Sequence, residues 1–194
     1  VLADAHAGCL LVTGRTQAVD RRLTQAERWI ASIGDPEALE AAVRAGMQAT
    51  DPEALRRLPA GVSLHRAGLA WMQGDMAGAT RHARKALELA RDEPMEAGGA
   101  AAILGLAHWT TGELIAAHGA WSEAIAALGT AGHHADVLGC SISLADIEIA
   151  QGRLHDARRT YERGLRRSAD HGEPVLRGCA DMHVGLAELF LEWN

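Results

Sequence analysis

One phrase recurs four times along this chain: an apolar stretch, a glycine, one or two polar residues, then a run with an alanine and a large residue four apart. It reads VTGRTQAV at Gly14, MQGDMAGA at Gly74, TTGELIAA at Gly112 and AQGRLHDA at Gly152. Self-similarity at a fixed period of roughly 20 to 50 residues marks a stacked-repeat architecture. A glycine at each marker can take the left-handed backbone conformation that ends a helix without a Cβ clash, so the markers read as turns between helices. Gly74 to Gly112 is 38 residues, Gly112 to Gly152 is 40, and Gly152 to the equivalent Asn194 is 42.

The residues around each marker keep a register. Leu104 and Gly105 precede Gly112, and Ala117, Trp121 and Ala124 follow it. This is the tetratricopeptide pattern, in which small residues let two helices approach and a large one fills the space between neighbouring pairs. The repeat at Gly152 keeps Leu144, Ala145, Ala157 and Tyr161, with Gly164 in place of the last alanine. The repeat at Gly74 keeps Ala79 and Ala86 but has Ala83 where a bulky residue belongs, and the first has Val19, Leu23 and Ala26. Composition agrees: it leans to the helix formers Ala, Leu, Arg and Glu, and aromatic residues are only 4%, which favours helix over strand. The fold class expected is all-α, a tetratricopeptide-like antiparallel helix-pair superhelix, or α-solenoid.

The period exceeds the roughly 34 residues of a standard repeat, so longer helices or longer loops at GHHADV and ADHGEP are expected. Helices are placed near 2–13, 16–33, 36–48, 52–72, 76–92, 95–111, 114–130, 135–151, 154–170 and 175–193. The segments DPEALEAA (35–42) and DPEALRRL (51–58) each set an Asp N-cap before a Pro at the first helical position. They add helix starts, which accounts for the 60 residues from Gly14 to Gly74 and makes 34–60 an irregular region within a single domain, 1–194. Pro36, Pro52, Pro59, Pro94 and Pro174 are read as lying between helices, with Pro59 a break or kink in the fourth span. The last helix (175–194) has no partner after it and carries Phe190, Leu191 and Trp193 on its final turn. Since an array ordinarily ends in a polar cap, and the chain lacks an initiator Met, it reads as part of a larger protein.

A formal net charge of −6 is ill suited to a phosphate backbone, so no direct nucleic-acid contact is expected. The densest basic stretch, Arg158, Arg159, Arg163, Arg166 and Arg167, is interrupted by Glu162 and reads as a solvated helix face, with docking of an acidic partner the lesser reading. Cys9, Cys140 and Cys179 form no CxxC pair, so no zinc site or disulfide framework is implied and a reducing cytoplasm fits. No apolar run has the length of a membrane span. HExxH, GxSxG and the dinucleotide fingerprint are all missing, so no enzyme, cofactor or metal site is expected. His133 and His134 are adjacent in a polar loop, and His108 and His118 flank the third turn; all four read as packing or surface residues.

Several segments together resemble the helical sensor domain of MalT-type regulators, the large ATP-binding branch of the LuxR transcription factors. They are LTQAERWIA (23–31), LHRAGLAWMQGDMAGATRHARKALEL (64–89), ILGLAHWTTGELIAA (103–117), AQGRLHDARRTYERGL (150–165) and HVGLAELFLEWN (183–194). The resemblance covers most of the chain, and GLAELFLEWN is its most distinctive part. It implies an array that receives an inducer or an inhibitory protein, flanked in a parent protein by an NTPase module and a DNA-binding helix-turn-helix. No GxxxxGK[ST] loop occurs here, so nucleotide binding is carried to no residue of this chain.

In such an array the first helix of each pair lines the concave face. Trp71 and Trp109 stand there three residues before their turn glycines, where the later repeats have Ile149 and Leu191. They form either an aromatic step in the groove, suited to a sugar ring or an apolar helix, or packing between helices. Six residues before each marker lie Gly68, Leu106, Asp146 and Glu188. Asp146, among the apolar residues of SLADIEIA, accepts hydrogen bonds from a ligand, pairs with an Arg, or is simply hydrated. Trp71, Trp109, Asp146 and Glu188 are thus the groove candidates, for a small-molecule inducer or a protein partner. A generic interaction scaffold is the alternative, although its usual carboxylate clamp of Lys, Arg and Asn is missing from these positions.

Overall fold

The computed structural model describes residues 2–33, 37, 44, 52–172 and 174–193. The helices are α1 (Leu2–Val12), α2 (Thr16–Ile33), α3 (Pro52–Met72), α4 (Met76–Leu89), α5 (Pro94–Thr110), α6 (Leu114–Thr130), α7 (His134–Ala150), α8 (Leu154–His171) and α9 (Cys179–Glu192). No strand occurs among the described residues. The expected helix 36–48 falls almost wholly outside them. The chain divides into two compact units, Val1–Glu96 and Ala97–Asn194.

The turns explain why the helices end where they do. Gly14, Gly74, Gly112 and Gly152 have φ of 70, 77, 79 and 72°. At each, the amide of the next residue reaches back five residues, as in Glu113 N to His108 O at 2.8 Å and Arg153 N to Glu148 O at 2.7 Å. This is the Schellman closure, which satisfies a carbonyl that the helix end would leave open. Gly132, in the GHHADV segment between pairs, has φ 76° and the same bond, His133 N to Leu128 O at 3.0 Å. GHHADV is therefore as tight a turn as the others, and α7 begins at His134 inside it.

The helices after these turns carry one buried stripe. In α8 the buried residues are Ala157, Thr160, Tyr161, Gly164 and Ser168, and in α6 they are Ala117, Ala120, Trp121, Ala124 and Leu128. That three-and-four spacing is one helix face. By contrast α7 is buried at Val137, Leu138, Cys140, Ser141, Leu144, Ala145, Ile147 and Glu148, because it packs against α6, α8 and α9. The expected small-and-large pairing holds: a Cβ on Gly105 would lie 2.7 Å from the Trp121 ring, and one on Gly185 would lie 2.5 Å from that of Tyr161. At the weaker repeats, Val19, Leu23, Ala79, Ala83 and Ala86 are all wholly buried.

In the first unit α1, α2 and α3 pack around Ala7, Leu10, Val19, Leu23, Ala26, Leu58, Val62 and Leu69. Arg66 of α3 reaches across to α2, giving Glu27 two hydrogen bonds of 2.8 and 2.7 Å and bonding Thr24 and Asp20 as well.

Two expectations need correction. Pro59 does not separate or end a helix; α3 runs through it. An interior proline costs about 3 kcal/mol, and burial of Leu58, Ala60 and Val62 around it offsets that, while Ser63 Oγ donates to the Pro59 carbonyl at 2.9 Å. The last helix begins at Cys179 rather than 175, because Gly178, with φ 96°, turns the chain just ahead of it.

Candidate functional site: a polar ladder on the first helices

Trp71 and Trp109 occupy the same place in their turns, their carbonyls accepting from Gly74 N and Gly112 N at 3.0 Å each. Trp71 belongs to the first unit and Trp109 to the second. Their exposures are 39% and 37%, so neither ring is enclosed by its neighbours. Beside Trp109, His108 Nδ1 meets Glu113 Oε2 across the turn. Ile149 and Leu191 hold the equivalent positions in α7 and α9; Ile149 is half-buried, while Leu191 is 78% exposed.

Asp146 is half-buried in α7. Tyr161 Oη donates to its Oδ1 at 3.2 Å, so its partner is a phenol rather than an arginine. Burial, with a smaller contribution from the Glu188 carboxylate, raises the Asp146 carboxyl above the usual range, and the Tyr161 bond only partly opposes this. Burial and the Asp146 charge in turn raise the Tyr161 phenol well above its ordinary value. Glu188 is exposed on α9. Asp146, Tyr161 and Glu188 therefore form one electrostatic group from three successive helices, able to accept hydrogen bonds on a carboxylate already loosened from water.

A second polar chain was not anticipated from the sequence. Glu148 is only 4% exposed; its Oε2 accepts from Thr160 Oγ1 at 2.8 Å, and its Oε1 lies 3.4 Å from His118 Nε2. Thr160 Oγ1 also accepts from Arg163 Nη2 at 3.1 Å. Glu148 continues the buried stripe Val137, Ser141 and Leu144, and a carboxylate on an apolar stripe is a signal that periodicity could have supplied. His133 and His134, adjacent in sequence, have different partners: His133 Nδ1 faces Asp136 at 3.3 Å and the His134 ring tilts against that of His171.

Among the described residues no group of His, Cys, Asp or Glu could hold a metal ion, and no helix is long and apolar enough to cross a membrane. The Arg run of α8 is not uniform. Arg158 pairs with Glu162 at 2.7 Å and lies over the Phe190 ring, and Arg159 pairs with Asp156. Arg163, Arg166 and Arg167 turn elsewhere, toward a depression that His134 and His171 also line.

Helices paired through Schellman turns, with an Ala, Trp or Tyr stripe packed on glycine, define an all-helical tetratricopeptide-like protein. The family model described as MalT-like TPR region matches residues 60–194, more than half of the chain, and the chain belongs to that family. Among solved structures it is similar to BtubC (BKLC) from P. vanneervenii, with a TM-score of 0.62 at 16% identity over 96% of this chain and 81% of that one. At that identity the likeness concerns the fold alone. No curated protein matches.

Proposed function

We propose that this chain is the signal-receiving domain of a MalT-type, LuxR-family transcriptional regulator in the cytoplasm. In this reading a small-molecule inducer or a protein partner binds to exposed residues of the first helices, and the bound state changes how the array meets the NTPase and DNA-binding modules of the parent chain. The observation that carries the reading is the match of the MalT-like TPR region to residues 60–194. It is supported by exposed Trp side chains at one register position in consecutive pairs and by the partly desolvated Asp146–Tyr161 pair. Exposed aromatic faces stack on sugar rings or apolar groups, and a carboxylate with raised pKa gains most from a donor that completes its hydrogen bonding. Regulation follows only if the ligand prefers one of two states of the parent.

A scaffold with no transcriptional role would use the same fold. Titrating the 194-residue chain calorimetrically with neutral sugars and with amino acids separates the two. Saturable heat that Trp109→Ala or Asp146→Ala weakens by about tenfold, the loss of one good contact, supports a receptor. No heat from any small solute, together with binding of a peptide, supports a scaffold.

A further inference from the structure

The three arginines of α8 that the α8 carboxylates leave unpaired converge on one place. Arg163, Arg166 and Arg167, with His134, His171 and Asp170, line an open depression of about 660 Å³. Arg163 and Arg167 also line an adjoining cavity of about 270 Å³, whose other walls are Ser122 and Ile125 of α6, Val137, Ser141 and Leu144 of α7, and Thr160 and Gly164 of α8. The two spaces thus share a pair of guanidinium groups, with a cationic mouth on one side and a half-apolar chamber on the other.

Two of the polar atoms there are not satisfied from within. Of the three buried side-chain polar atoms without a hydrogen-bond partner among the described residues, Arg167 Nη1 and His134 Nδ1 belong to this depression. A buried polar atom without a partner is costly, and where one is found an ion or ligand is a natural explanation. At the nearby end of α6 the carbonyls of Ala127, Leu128 and Gly129 accept from the amides of Ala131, His133 and Gly132. The Arg167 guanidinium lies close over Gly129, where an added Cβ would stand 3.0 Å from its Nη1. Arg163 uses one nitrogen on Thr160, which stands between it and buried Glu148. Arg166 is exposed. Against three guanidinium charges the lining sets one carboxylate, Asp170.

We infer that this paired depression and cavity is a binding site for a small organic anion, its phosphate or carboxylate held by Arg163, Arg166 and Arg167 and its apolar part seated against Ile125, Val137 and Leu144. Planar guanidinium groups recognise both kinds of oxyanion through charge-assisted hydrogen bonds. A half-open chamber of about 270 Å³ is sized for a small ligand, whereas a protein segment would lie across the mouth and leave the chamber empty. The site is separate from the Asp146 group: Leu144 and Asp146 stand two residues apart on α7 and so point about 200° apart around it. It goes beyond the receptor reading and does not depend on it.

The test is calorimetric titration of the 194-residue chain with hexyl phosphate, hexanoate, inorganic phosphate and hexanol. Hexyl phosphate or hexanoate should bind saturably, at least about tenfold more tightly than inorganic phosphate because the chain buries apolar surface, and hexanol should bind far more weakly than either. Which of the two anions binds more tightly identifies the head group. Arg163→Gln, Arg166→Gln and Arg167→Gln should each weaken binding by about tenfold, while Arg158→Gln, whose guanidinium serves Glu162, should not. Gly129→Ala displaces the Arg167 head yet favours helix, so it should lower affinity without lowering the melting temperature, separating loss of the site from loss of the fold. Three results would overturn the inference: no saturable heat from either organic anion, unaltered affinity in folded Arg163→Gln and Arg167→Gln variants, or binding of a glutamate-rich peptide where hexyl phosphate and hexanoate fail. The last would make the surface a dock for an acidic protein segment.

Discussion

The phenol of Tyr161 hydrogen-bonds the half-buried carboxylate of Asp146 from the next helix, 3.2 Å away. Tyr161 is the chain's one tyrosine, so its ionisation can be followed by absorbance without interference from another phenol. The phenol is raised above its ordinary 10.0 by burial and by the Asp146 charge. The folded state therefore keeps a proton that the unfolded state releases, and stability should fall as pH rises past about 10. The carboxyl of Asp146 is also raised from its ordinary 3.8, so its contribution to stability is shed as pH climbs through the window just above that value. Asp146→Asn keeps an acceptor for Tyr161 and removes the charge: it should flatten the acid-side slope and bring tyrosinate formation to lower pH. Asp146→Ala leaves the buried phenol without its acceptor and should cost about 1–2 kcal/mol in urea unfolding. Equal tyrosinate titrations in wild type and Asp146→Asn would show the two groups to be uncoupled.

Two exposed glycines two turns apart should respond oppositely to the same substitution. Gly112 has φ 79° and nothing within 4 Å of where a methyl group would stand, and Gly119, within α6, also has open space around it but no left-handed angle. Gly112→Ala should destabilise by about 1–2 kcal/mol through backbone strain alone. Gly119→Ala should stabilise by about 0.5–1 kcal/mol through helix propensity. Thermal unfolding of the two variants beside wild type measures the difference.

The three thiols should separate by reactivity. Cys9 is exposed, Cys179 half-buried and Cys140 buried, and burial, reinforced by the Asp136 charge, pushes the Cys140 thiol up to about 12. Since the thiolate is the reacting species, a disulfide reagent at about pH 8 should titrate Cys9 promptly and reach Cys140 only when the chain unfolds. Prompt labelling of all three in the folded protein would contradict the packing of α7.

Much of the fold was legible because its punctuation is chemical. A glycine that must take a positive φ leaves a mark in sequence, and Trp121 against Gly105 leaves another. Gly132 makes the same turn, yet the polar letters of GHHADV read as a longer loop, because nothing in them reports the amide that closes on Leu128. Pro59 was misplaced for the opposite reason: a strong local signal yielded to burial on both sides of it, an outcome decided by tertiary packing. At the site, sequence register singled out Asp146 but could not tell that its partner is Tyr161, since that depends on where α8 lies against α7. The Arg run of α8 shows the same limit. Helical spacing alone pairs Arg158 with Glu162, whereas the convergence of Arg163 and Arg167 over the α6–α7 cavity exists only once three helices are assembled.

The central claim, that exposed residues of the first helices receive a signal for a larger regulator, is tested most directly by that regulator's transcriptional response. The response to its inducer or inhibitory partner is measured with Trp71 and Trp109 both changed to Ala, alongside the melting temperature of the 194-residue chain bearing the same changes. The expected result is a response shifted by at least about tenfold in effector concentration, the scale of a lost aromatic contact, with the melting temperature held. An unchanged response from a folded double variant would contradict the claim.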